Sequence, residues 1–197
     1  MKNYIRTSHS RFLSLGMLLL MVSGWGWNPY RHHPGYPYKL VKETISVQVP
    51  VEQAYAYLGD SDNARHWSVF VDHITPLNSD TYPDGTVHSK RRCFKQADEK
   101  GIWWDEEVLE TRKDKRRLLS IYHLHGFPLQ AEHLLTEQVY ERVNTHECRV
   151  SLTLYFEPGK ASKTDLLKMH IASYVVRNIF RNNLKQIKYE MEHHAAS

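Results

Sequence analysis

From Leu40 to Val49 apolar and polar residues alternate. Val41, Ile45, Val47 and Val49 share a row with Glu43, against Lys42, Thr44, Ser46 and Gln48, which is the pattern of a half-buried strand. Pro50 ends that strand and suits a helix start. The period then changes: Val51, Ala54, Tyr55 and Leu58 fall on one helical face, until Gly59 and Asp60 stop it. Ser61 or Asp62 can cap a second short helix carrying Ala64 and Trp67, with Val69 and Phe70 at its end. From Ile74 onward the period is two. Strands are expected over 73–79, 85–96, 102–112, 117–125, 131–142 and 146–156, separated by turn signals such as Pro83-Asp84-Gly85, Lys113-Asp114-Lys115 and Gly126-Phe127-Pro128. Connections this short force antiparallel neighbours. Pro158-Gly159 closes the last strand, and Thr164 can cap a final helix reaching about Glu192. Along it Leu166, Met169, Ser173, Val176, Phe180, Leu184, Ile187 and Met191 recur every three or four residues. Such a one-sided helix can lie across a sheet.

Ahead of this domain the chain is organised differently. Residues 2–11 are basic and lack acids, and residues 12–22 form an apolar block followed by Ser23, Gly24, Trp25 and Trp27. That is the pattern of a secretory signal, or of a membrane anchor extended by interfacial aromatics. Residues 28–39 hold three prolines and a glycine, too many for a helix or central strand. The expected organisation is therefore a signal peptide or anchor over 1–27, a Pro-rich linker over 28–39, and one α+β domain over 40–193. The N-terminal segment implies export to a periplasmic or extracellular compartment, with tethering to the membrane where the segment is an uncleaved anchor.

The charge argues against nucleic acid as a partner. The 26 basic and 22 acidic side chains give +4, and setting aside Lys2, Arg6 and Arg11 leaves the rest at +1. Phosphate binding would need a concentrated patch. The one dense basic run, Lys113, Lys115, Arg116 and Arg117, reads as a solvated turn. Cys93 and Cys148 both fall in strand-like segments and have no zinc or Cys-x-x-Cys spacing. A disulfide and two buried thiols are both compatible with export.

The order strand, two short helices, six antiparallel strands and a long final helix resembles the START-like (SRPBCC) superfamily of helix-grip proteins. That group includes polyketide cyclases and dehydrases, plant Bet v 1-type allergens, and lipid- or quinone-handling proteins. Val49-Pro50-Val51-Glu52-Gln53-Ala54-Tyr55-Ala56-Tyr57-Leu58 looks like its opening strand-Pro-helix junction. Asp62 with Trp67 five residues on resembles its second-helix pattern, and Trp104-Asp105-Glu106-Glu107-Val108 its Trp-x-Glu-x-Val strand. The resemblance implies a curved antiparallel sheet of about seven strands gripping the C-terminal helix. It also implies a cavity between them for an apolar small molecule such as a lipid, isoprenoid or polyketide, with no cofactor. Fold alone does not set function.

Candidate ligand-binding residues are Trp67, Trp103, Trp104, Tyr122, Phe127, Met169, Val176 and Phe180. For a cyclase- or dehydratase-like enzyme, the candidates are Arg91 facing Glu107 or Glu106, with Tyr122 or His123 nearby, because a carboxylate beside a guanidinium can polarise a carbonyl or accept a proton. The alternative for these charges is an ion pair on the outer face, since a bulge would exchange the faces. His123, His125 and His133 can share one strand face, but with 13 histidines in the chain and no completing ligand, no metal site is expected. A third possibility is a membrane-tethered interaction module, which an exposed apolar patch would favour.

Overall fold

The computed structural model describes residues 38–127, 134–156 and 163–193. The expected signal or anchor, the linker up to residue 37, the hairpin residues 128–133 with His133, and the Pro158-Gly159 turn lie outside the described residues. Strand β1 (Tyr38–Val47) leads into helix α1 (Val51–Gly59), a 3-10 turn (Ser61–Asn63) and the short helix α2 (Ala64–Trp67). Strands β2 (His73–Pro76), β3 (Lys90–Phe94), β4 (Trp103–Arg112), β5 (Arg116–His125), β6 (Leu134–Arg142) and β7 (Cys148–Phe156) follow, and helix α3 (Lys163–His193) ends the domain. The strands make one antiparallel curved sheet in the order β1-β7-β6-β5-β4-β3-β2. Among the described residues no helix is long and apolar enough to cross a membrane.

Several boundaries differ from expectation for local reasons. β1 starts at Tyr38, inside the expected linker, because Tyr38 and Lys39 pair with Phe156 and Tyr155 before a bulge at the next residue. β2 and β3 are shorter than 73–79 and 85–96. The Asn78 side chain takes the Lys90 N–H at 2.7 Å and donates to the His88 carbonyl at 3.0 Å. His88 is left-handed at φ 71°, which a pleated strand does not continue. The 3-10 turn is capped by Asp60, whose Oδ1 accepts from the Asp62 N–H at 2.9 Å, not by Ser61 or Asp62. The Ser61 hydroxyl is committed to Arg91 instead.

The core sits under the C-terminal half of α3. Leu184, Ile187 and Met191 pack with Val47, Cys148 and Val150 of the sheet and with Val51, Ala54 and Leu58 of α1. Burying each such side chain stabilises the fold by roughly 1.5–3 kcal/mol. Cys93 on β3 and Cys148 on β7 are buried free thiols, kept apart by three intervening strands. Burial pushes Cys148 up to about 11 and Cys93 well above the ordinary thiol value, so neither is an activated thiolate.

Lys113 and Lys115 of the basic run are exposed in a turn as expected, but Arg117 departs from that reading. Arg117 is 4% exposed because the register places it opposite Gln138. Its Nη1 donates to Gln138 Oε1 at 3.0 Å and to Tyr140 Oη at 3.3 Å, and its guanidinium lies 4.5 Å from the Tyr55 ring centre. Gly59 makes the room: a Cβ there would stand 2.4 Å from Arg117 Nη2. Gly59→Ala is therefore expected to overpack this corner and cost about 1–3 kcal/mol in urea unfolding. The same substitution combined with Arg117→Met is expected to recover most of that loss.

Candidate functional site

Between the N-terminal half of α3 and the sheet lies a cavity of about 580 Å³. From the helix, Met169, Ala172, Val176 and Phe180 line it; from the sheet come Trp104, Ile121, Leu124 and Leu154, with Phe70 and Phe127 from the connecting segments. The sequence explains the gap. The last three turns of α3 present Leu184, Ile187 and Met191 to the sheet, all almost fully buried. The earlier turns present the small Ala172 to the cavity between Met169 and Val176, so a curved sheet is not filled there. A concave apolar volume of this size is within the usual range for small-molecule sites.

A second chamber of about 140 Å³ shares Phe70, Trp104, Ile121, Thr136, Ile179 and Phe180 with the first, so the two are neighbours. Its wall is mostly apolar, but Arg91, Glu106, Trp67, Asn183 and Gln138 bring polar groups to it. Arg91 and Glu106 are register partners on β3 and β4. The Arg91 Nε and Nη2 each lie 2.8 Å from Glu106 Oε2. Arg91 Nη1 donates to Ser61 Oγ at 2.9 Å, and Trp104 Nε1 donates to Glu106 Oε1 at 2.9 Å. Burial is the largest influence and works against the Arg91 cation, but Glu106, Cys93 and Asp84 together outweigh it and hold the guanidinium above the ordinary arginine value. Both carboxylate oxygens are engaged, so the pair is a satisfied buried network.

Of the residues expected in the cavity, Trp104, Phe127, Met169, Val176 and Phe180 line the large chamber, and Trp67 and Arg91 line the smaller one. Trp103, Glu107, Tyr122 and His123 do not; they lie on the opposite face of the sheet. The β4 pleat is the reason. Trp104, Glu106 and Val108 face inward and are buried, so Trp103, Asp105 and Glu107 face outward. Glu107 meets Lys90 at 3.7 Å and His88 at 3.4 Å. On β5 the ladder slips between Trp103 and Asp105 where His123 takes φ 49°. This bulge sends Ile121 and Leu124 inward and leaves Tyr122 opposite Asp105. Sequence reasoning offers Glu106 only as an alternative to Glu107. It misses Asn183, because a polar position in a helical stripe carries no signal of burial.

The outer face holds its own network. Arg92 grips Asp105 through Nε–Oδ1 at 2.7 Å and Nη2–Oδ2 at 3.0 Å, and His123 Nδ1 lies 2.9 Å from Asp105 Oδ2. Arg92 also covers Trp103 at 4.0 Å, and His125 stacks on that ring at 5.0 Å. Burial raises the Asp105 carboxyl, but Arg92 and His123 outweigh it and hold it below the ordinary aspartate value. A depressed folded-state value gives stability that is present above the unfolded value and lost as pH falls through the folded one. Acid titration is thus expected to remove this contribution below about pH 4, and Asp105→Asn to flatten that limb of a stability–pH curve. Among the described residues no group of His, Cys, Asp and Glu is arranged to hold a metal.

The family model described as polyketide cyclase / dehydrase and lipid transport matches residues 39–192. Solved structures with this fold include a Thermus thermophilus protein, 18% identical with a TM-score of 0.60, the match covering 80% of this chain and 99% of that one. XoxI from Bacillus cereus is 14% identical at TM-score 0.58, covering 78% and 98%. The di-domain ARO/CYC BexL of the BE-7585A biosynthetic pathway is 14% identical at TM-score 0.60, covering 80% of this chain and 47% of that one. At such identities the likeness establishes the fold. No curated protein matches the sequence.

Proposed function

We propose that this chain, which belongs to the polyketide cyclase/dehydrase and lipid-transport family, carries or senses an apolar small molecule such as a lipid, isoprenoid or polyketide. The observation that carries this reading is the cavity of about 580 Å³ with its wall of apolar side chains. Removing a ligand of that kind from water into such a wall is favourable by roughly 25 cal/mol per Å² of apolar surface. Native mass spectrometry of protein purified from its own host tests it. The expected result is added mass from a co-purified apolar compound, and displacement of the neutral dye phenylnaphthylamine by that compound. Protein that is always empty and never takes up the dye would end the reading.

The carrier reading is preferred over the enzyme because the proposed acid–base set is divided. Arg91 faces the chamber, whereas Glu107, Tyr122 and His123 lie on the other side of the sheet. A cyclase- or dehydratase-like reaction would have to use Glu106, whose oxygens already accept from Arg91 and Trp104. The chain is further proposed to work outside the cytoplasm, on the strength of the basic, apolar and aromatic order of residues 2–27. A phosphatase reporter fused after His193 is expected to be active only if the domain is exported.

A further inference from the structure

Trp67 lines the smaller chamber, and its Nε1–H is buried with no hydrogen-bond partner among the described residues. Buried donors are rarely left unpaired, because an unmade bond costs on the order of 1–3 kcal/mol. Asn183 is 6% exposed and lines the same chamber. Its Oδ1 is taken by the Val69 N–H at 2.8 Å, which leaves its amide NH2 as a further donor on that wall. The acceptors nearby are committed: Glu106 to Arg91 and Trp104, and Gln138 Oε1 to Arg117 and Tyr140. Resting on the small-molecule reading above, we infer that the smaller chamber receives a neutral hydrogen-bond acceptor, a carbonyl or ether oxygen at the leading end of the apolar ligand, and that Trp67 Nε1–H is its donor.

The charge balance selects a neutral group. Arg91 is matched by Glu106, and the other carboxylate on this wall, Glu137, is matched by Arg116 at 2.6 Å. An entering carboxylate would be a buried anion without a counter-charge, which is strongly unfavourable. The ligand class is therefore an apolar body in the large chamber ending in an uncharged oxygen. Trp67 would act as a specificity-determining residue that fixes which end enters.

Three probes of nearly one shape test this by calorimetry: acetylnaphthalene, ethylnaphthalene and naphthoate. The ketone is expected to bind about tenfold more tightly than the hydrocarbon, as one recovered hydrogen bond implies, and at least as far ahead of the acid. Trp67→Phe is expected to erase the ketone's advantage over ethylnaphthalene. In the unaltered protein the Trp67 indole N–H resonance should move downfield with the ketone alone, a readout that does not depend on the variant folding. Equal binding of ketone and hydrocarbon would overturn the inference, with only water at the indole, and leave the apolar-ligand reading standing. If none of the probes binds, that reading falls and this inference falls with it.

Discussion

Glu106→Ala is expected to destabilise the domain by about 3–5 kcal/mol, because it strands the Arg91 cation in the interior. Arg91 is only 7% exposed, and its remaining carboxylate neighbour, Asp84, stands 4.0 Å away. Trp104 Nε1 would lose its acceptor in the same step. Glu107→Ala, one residue on, is expected to stay within about 0.5 kcal/mol, since its carboxylate serves Lys90 and His88 at the surface. Replacing both Arg91 and Glu106 with leucine is expected to recover most of the loss, as apolar isosteres of buried pairs do. Urea midpoints of the four proteins measure all of this. Equal effects at 106 and 107 would contradict the assignment of inner and outer faces.

Filling the cavity is expected to give the largest effect on binding. Val176→Trp places an indole in the volume bounded by Leu154, Ile121 and Phe127. Loss of affinity for phenylnaphthylamine by roughly two orders of magnitude, about 2.7 kcal/mol, is expected. Stability should hold or rise, because the new side chain occupies space the fold leaves unfilled rather than displacing packed atoms. Trp103→Ala is the matched control. Its ring lies on the outer face between Arg92 and His125, so dye affinity is expected to remain within about twofold. Binding that survives Val176→Trp but fails in Trp103→Ala would relocate the site to the outer surface.

The two sets of expectations bear on different sides of one sheet, and that division was the part hidden in the sequence. Alternation along β4 assigned Trp103, Asp105 and Glu107 to one row and Trp104, Glu106 and Val108 to the other, but either row could have faced the helix. On β5 the row itself breaks. The bulge at His123 sends Leu124 inward although it is two residues from the expected Tyr122 on the same row. Nothing in the composition around His123 marks a residue that adopts a left-handed backbone.

Element order, antiparallel pairing and the apolar stripe of α3 were determined by the sequence itself, because period-two and period-3.6 patterns and short turns act locally. Burial of Arg117, the pairing of Arg91 with Glu106, and the cavity above the N-terminal half of α3 were decided by tertiary structure. Each depends on a distance between segments far apart in the chain: Gly59 against Arg117, β3 against β4, and Ala172 against a curved sheet. A side chain's environment is set by what packs opposite it, and only the folded molecule brings that partner into place.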